Sequence, residues 1–192
     1  MKHQHYGIYK PYGYLSQFVN HQSKRKNKKL LGELIDGSND LMAIGRLDEK
    51  SEGLLLLTTD GKFSAHIRSA QIEKEDHVMV DGIPTDNDIE KLKKGIKISI
   101  NGKLYQTKPC KVKRLLNTSH IIKRFVRDNK HGDTSWLCIT LTEGKFRQVR
   151  KMTSKLGFPT LRLVRVRVGN YTLNDLKPGE YKGINSQLFY EQ

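Results

Sequence analysis

Residues 41–44 (Leu, Met, Ala, Ile) and the four leucines at 54–57 form two apolar runs, separated by a polar stretch that opens on Gly45 and contains Asp48. The second run closes on Thr58-Thr59-Asp60-Gly61, a turn sequence. Short runs bounded by turn residues predict two buried strands with Asp48 on the loop between them. A carboxylate on a loop fixed by rigid neighbours can be partly desolvated, the setting in which an acid is tuned for catalysis. A turn aspartate bonding its own backbone is the common alternative, and the pattern alone does not choose.

Residues 6–18 predict two short strands around a turn at Lys10-Pro11-Tyr12-Gly13, and residues 30–35 a short helix stopped by Asp36-Gly37-Ser38-Asn39. A helix is expected over 62–68 and a strand over 78–80, ending at Asp81-Gly82. Thr85 reads as the N-cap of a helix over 86–94, with Asp86 and Asp88 in its first turn, Lys91, Lys93 and Lys94 in its last, and Gly95 beyond. Ile89 and Leu92 face inward from it. Strands follow at 96–100, 104–106 and 110–116, while 117–134 holds no single period and reads as a surface excursion carrying Lys123, Arg124, Arg127, Lys130 and His131.

Residues 135–142 alternate, Leu137, Ile139 and Leu141 against Trp136, Cys138 and Thr140, which predicts a strand. A helix is expected over 144–156, with Phe146, Val149, Met152 and Leu156 as its buried stripe, Gly157 as its stop, and Arg147, Arg150, Lys151 and Ser154 on an adjoining face. Such a basic face is often only solvated. In the strand at 161–168, Val164, Val166 and Val168 oppose Arg165 and Arg167, so one face packs and the other meets solvent or phosphate. A turn occupies 174–179, the tail after Gly183 carries no evident chemistry, and no internal repeat is visible.

The chain has 192 residues, 36% of them hydrophobic, enough for one sizeable core. No apolar run approaches the roughly 20 residues a membrane helix needs, and no apolar segment of signal-peptide type follows Met1-Lys2-His3-Gln4-His5, so a cytoplasmic protein is expected. Cys110 and Cys138 are expected as reduced, buried thiols. The seven histidines show no His-Glu-x-x-His spacing and the cysteines no Cys-x-x-Cys, so no metal site is expected. Charge changes the picture most: 35 Lys and Arg against 20 acids give +15, which attracts a polyanion. Nucleic acid is the natural partner, since no long basic amphipathic helix is present for a membrane surface. Lys24, Arg25, Lys26, Lys28 and Lys29 crowd a loop at 21–29 that either touches RNA phosphate or is simply solvated.

Three stretches carry a resemblance: Tyr9-Lys10-Pro11-Tyr12-Gly13-Tyr14-Leu15-Ser16-Gln17-Phe18, residues 45–61 around Asp48, and residues 144–169 with Arg147-Gln148-Val149-Arg150-Lys151-Met152. Together and in this order they resemble the pseudouridine synthases of ribosomal RNA, most of all the synthase E group that acts on the large subunit, over about residues 6–181. The resemblance implies an α+β catalytic fold, with a mixed, mainly antiparallel sheet, flanking helices and a central RNA-binding cleft. It implies one catalytic domain over 1–192 with no separate N-terminal RNA-binding domain.

The implied activity is isomerisation of a specific uridine to pseudouridine in large-subunit (23S) ribosomal RNA, without a cofactor. Asp48 would be the nucleophile, attacking the base or the sugar carbon, and Arg150 would pair with it. Arg46 would steady the flipped nucleotide or the phosphate beside it, while Arg147, Lys151, Arg165 and Arg167 are the expected RNA contacts. The target must leave its stack, at a cost of a few kcal/mol. The expected partner is ribosomal RNA within an assembling large subunit, met by a monomer away from membranes.

One departure stands out. Relatives carry Lys-x-Tyr-x-Val, whose tyrosine packs on the target base, where this chain has Lys74-Glu75-Asp76-His77-Val78. Asp76 takes the tyrosine's place, and an acid cannot stack. His77 could substitute only if the strand shifted register, which would turn it to the opposite face. The alternative is therefore an RNA-binding protein with weakened catalysis that aids ribosome assembly.

Overall fold

The computed structural model describes residues 3–19, 27–36, 40–69 and 71–190. Lys24, Arg25 and Lys26 of the basic loop, and Gly37-Ser38-Asn39, lie outside them. In chain order the strands are β1 (His5–Lys10), β2 (Tyr14–Leu15), β3 (Lys29–Leu30), β4 (Met42–Ala43), β5 (Glu52–Thr58), β6 (Lys74–Asp81), β7 (Lys97–Ile100), β8 (Lys103–Gln106), β9 (Lys111–Arg114), β10 (Thr134–Leu141), β11 (Thr160–Val168), β12 (Tyr171–Thr172) and β13 (Tyr181–Gly183). The α-helices are α1 (Gly61–Arg68), α2 (Asp86–Lys94) and α3 (Gln148–Lys155). Two compact units result, residues 1–72 with 165–192 and residues 73–164, so β11 starts in the second and ends in the first. No helix among the described residues is long and apolar enough to cross a membrane.

In the first unit the strands run in the order β13-β1-β5-β11, with β4 also on β5 and β12 also on β11. Every residue of β5 is buried, which is why its leucines run consecutively instead of alternating. Leu54 and Leu56 pack with Ile44, Phe63 and Ile67 of α1, Ile72, Val168 and Phe189. The tail after Gly183 is thus a core element: a 3-10 turn, Ser186–Phe189, sets the Phe189 ring 5.4 Å from that of Phe63. Burying such a ring contributes about 2 kcal/mol. At Gly53 the φ is +100° and an added Cβ would lie 2.2 Å from the Arg165 carbonyl oxygen, so only glycine lets β5 approach β11 this closely.

The second unit has the strand order β11-β6-β10-β9, with the β7–β8 hairpin beside it. The pairs β6–β10 and β9–β10, like β13–β1, β1–β5, β4–β5 and β11–β12, are antiparallel, while the two-residue β2–β3 ladder is parallel. With the three α-helices of the described residues added, the expected α+β class stands. Asn101-Gly102 closes the β7–β8 hairpin with both residues at positive φ, as a two-residue turn of this type requires. Helix α2 has the predicted cap: the Asp88 N–H donates to the Thr85 hydroxyl and the Asp88 carboxylate accepts from the Thr85 N–H. Ile89 and Leu92 are buried beneath it.

Several boundaries differ from expectation. The helix at 30–35 is a single 3-10 turn, Leu31–Glu33, because the Leu31 N–H donates to the Gln17 carbonyl and ties the segment to the chain before it. Strand β6 starts at Lys74, well before 78, since its polar first half is paired through the β10 ladder. Strand β9 stops at Arg114, leaving Leu116 exposed. Helix α3 starts at Gln148 instead of 144: Arg147 is left-handed (φ 53°, ψ 35°), and Phe146, expected in the buried stripe, is 58% exposed.

Candidate active site

Asp48 sits on the irregular segment between β4 and β5, as the apolar pattern predicts. The loop is pinned on both sides of the acid. The hydroxyl of Ser16, which is buried, donates to the Leu47 carbonyl (2.8 Å) and accepts from the Leu47 N–H (3.0 Å). The Asp48 carbonyl accepts from the Ser51 N–H (2.9 Å), turning the chain into β5. Leu47 itself is buried, which leaves Asp48 half-buried and Arg46 exposed on either side of it.

Beneath this loop lies a charge to which the sequence pattern assigns no role. Lys10, at the end of β1, is fully buried, and its ammonium donates to the Pro11 (2.9 Å), Tyr14 (2.6 Å) and Glu49 (3.5 Å) carbonyls. The Gly13 N–H donates to the same Glu49 carbonyl, so the 10–16 segment and the acid loop share one anchor. Burial pushes the Lys10 pKa down to about 8, against the attraction of Glu52, Asp48 and Glu49. Glu52 is itself buried. Lys28, from the basic run, pairs with the Glu49 carboxylate at 2.7 Å. The available signal for Lys10 was its position closing a strand whose preceding residues, Ile8 and Tyr9, are core-type, immediately before a Pro-Tyr-Gly turn.

The expected cations fall in both units. Arg165 and Arg167 lie half-buried on β11 in the first, the latter donating to the Gly169 carbonyl at 2.8 Å. In the second, Arg147 is exposed just before α3, Arg150 is half-buried and donates to the Thr160 carbonyl (3.3 Å), and Lys151 donates to the Ser99 carbonyl (2.7 Å). The Lys151 ammonium also lies 5.1 Å from the centre of the exposed Phe146 ring. Gln148 and Glu143 hold the approach to this helix. Gln148 accepts from the Lys145 N–H and donates to Glu143, which also accepts from the Tyr105 hydroxyl and the Lys108 N–H. Burial pushes the Glu143 carboxyl up, but these hydrogen bonds outweigh it and leave it below the ordinary carboxylate range.

The register of β6 settles where the departing residues point. Asp76 opposes Ile139 and is 1% exposed, on the face of Val78 and Val80. His77 opposes Cys138 on the other face, where it contacts Glu75 and His120, so it does not substitute at the tyrosine's place. Among the described residues, the metal-type donors that converge are Glu75, His77 and Cys138 on that same face.

The sequence and the fold match those of known proteins. Residues 4–155 match the family described as RNA pseudouridylate synthase. The ribosomal large subunit pseudouridine synthase E of Vibrio parahaemolyticus is 43% identical over 91% of this chain and 71% of its own length. That of Xanthomonas campestris is 38% identical over 90% of this chain and 91% of its own. A crystal structure of a pseudouridylate synthase superposes with a TM-score of 0.77 at 25% identity, over 98% of this chain and 73% of that one. The chain thus belongs to the RNA pseudouridylate synthase family and is an isomerase that converts uridine in RNA to pseudouridine.

Proposed function

We propose that the chain isomerises one specific uridine, or very few, of large-subunit (23S) ribosomal RNA, with Asp48 as nucleophile, working as a monomer in the cytoplasm on a large subunit still in assembly. The single observation that carries the assignment is the anchoring of the Asp48 loop by Ser16 and the buried Lys10 ammonium. A nucleophile gains most from such fixing, because a displacement of about 1 Å can cost on the order of 100-fold in rate. In the reaction the N1–C1′ bond breaks, the uracil turns, and C5 bonds to C1′. The proton on C5 is lost and N1 gains one, so no redox partner or external group is consumed. Asp48 attacks either the base or the sugar carbon to hold the fragment through the turn.

Arg150 is the proposed ionic partner of Asp48, and Arg46 the residue that steadies the flipped nucleotide. Arg147, Lys151, Arg165 and Arg167 are proposed to contact the RNA backbone, offsetting the few kcal/mol of unstacking. In this reading residues 1–192 act as one catalytic domain. The 43% identity to a synthase of the ribosomal large subunit supports the choice of RNA. Mapping pseudouridine in ribosomal RNA from cells with and without the protein tests it: one or a few large-subunit sites should disappear on deletion, and persistence of all sites overturns the enzyme reading.

A second reading, an RNA-binding assembly protein with weakened catalysis, is favoured by Asp76 at the place of the family's stacking tyrosine. Asp76→Tyr separates the two. A faster enzyme supports a damaged but functioning site, whereas a parent chain with no turnover on any ribosomal RNA supports the second reading.

A further inference from the structure

The pairing of β6 with β10 brings three donors of different chemistry to one point. His77 and Cys138 are opposed across the ladder, and Glu75, two residues before His77, shares its face. Glu75 Oε1 lies 3.2 Å from His77 Nε2 and 3.3 Å from Cys138 Sγ, and the three donor atoms all lie within 4.8 Å of one another. A tetrahedral zinc ion, with nitrogen and oxygen at about 2.1 Å and sulfur at about 2.3 Å, spaces its ligands about 3.4–3.7 Å apart. Small rotations of the three side chains would convert the present hydrogen-bonded cluster into that arrangement.

We propose that Glu75, His77 and Cys138 form a site for a zinc-type divalent ion, with a fourth position left to water. The donor set selects the class: one thiolate, one imidazole and one carboxylate suit zinc, whereas magnesium and calcium take oxygen donors. His77 and Cys138 are buried, and the Glu75 side chain is 23% exposed, which leaves an approach from solvent. On binding, the Cys138 thiol releases its proton to solvent as the sulfur–metal bond forms, and the thiolate and carboxylate together balance the ion's charge.

His120 supplies the outer support such a ligand needs. Its Nε2 lies 2.9 Å from His77 Nδ1, so with metal on Nε2 the Nδ1–H of His77 donates to His120 and fixes the ring. The ion would thereby join β6 to β10 and, through His120, to the 117–133 excursion. None of these four residues belongs to the proposed catalytic or RNA-binding set.

Cobalt(II) titration of the reduced full chain tests the site, because cobalt bound by thiolate shows a charge-transfer band in the near ultraviolet. The expected result is one equivalent of cobalt with that band, displaced by one equivalent of zinc. Cys138→Ser should lose the band, while Cys110→Ser should keep it: Cys110, expected to be buried, is only part-buried, and its thiol donates to the Leu92 carbonyl. His77→Gln and the part-exposed Glu75→Gln should each weaken zinc binding at least about 10-fold, and His120→Ala about 10-fold. Metal-free melting of each variant separates lost binding from lost fold, and Glu75→Gln carries the test should a buried substitution unfold the chain. No band, a band that survives Cys138→Ser, or unchanged zinc affinity in folded Glu75→Gln overturns the proposal.

Discussion

In the first unit a lysine is fully buried and three backbone carbonyls receive its ammonium, whereas in the second the cations of α3 and of the 117–133 excursion lie at or near the surface. The contrast follows from what each charge has to do. A buried ammonium is stable only when its donors are satisfied, and meeting that demand fixes the surrounding backbone. Exposed arginines and lysines fix little, but they act through solvent on a polyanion and are screened by salt. Buried charge holds a loop still, and surface charge stays available to a polyanion.

Substitutions should respect that division. The largest effect is expected from Asp48→Asn: turnover, followed by chemical mapping of pseudouridine, should fall by on the order of 10⁴-fold, the scale of losing a nucleophile, with RNA affinity nearly unchanged. Retained turnover would mean that another acid does the chemistry. Next comes Lys10→Met, read as a pH profile of stability. The folded pKa of Lys10 is lowered from 10.5 to about 8, so between those values the unfolded chain holds a proton that the folded one has released. Stability of the parent relative to Lys10→Met should therefore rise by about 3 kcal/mol as pH climbs through that window, measured by urea unfolding. A flat difference would place Lys10 in water.

Ser16→Ala should cost about 2 kcal/mol, because two buried backbone groups of Leu47 lose their partner, and it should lower turnover without changing RNA affinity. The smallest effect sharpens the other side of the comparison. If about six phosphates are contacted, RNA affinity should fall with salt with a log-log slope of about −4, and Arg147→Ala should flatten that slope by about 0.7 while leaving stability unchanged. A loss of stability without a change of slope would make Arg147 a structural residue.

Legibility from sequence followed the locality of the signal. Helix α2 was readable because its cap, its charges and its stop lie within eleven residues, and β10 because Leu137, Ile139 and Leu141 recur at every second position. The loop position of Asp48 followed from two apolar runs and a glycine. What escaped detection depends on distant partners. The polar start of β6 is a strand only because β10 pairs with it, Phe146 fits a helical stripe until a left-handed Arg147 intervenes, and Phe189 finds its core 126 residues back at Phe63. Lys10 reads as one more lysine until three carbonyls are seen to converge on it. The cluster at Glu75, His77 and Cys138 escaped for the same reason, since its third donor comes from a strand 61 residues further along the chain.

The seam at Gly53, where β5 lies backbone to backbone against Arg165, has a consequence for biogenesis. A nascent chain with only its first 72 residues outside the ribosome has the acid loop and β1, but neither β11, on the other side of β5, nor the Phe189 that completes its core. Such long-separation contacts form late and slowly. In a partly translated chain the Asp48 loop would thus have its local anchors, Ser16 and Lys10, while the sheet and core beneath β5 stay unfinished until the intervening 92 residues have been synthesised and the C-terminal segment has returned.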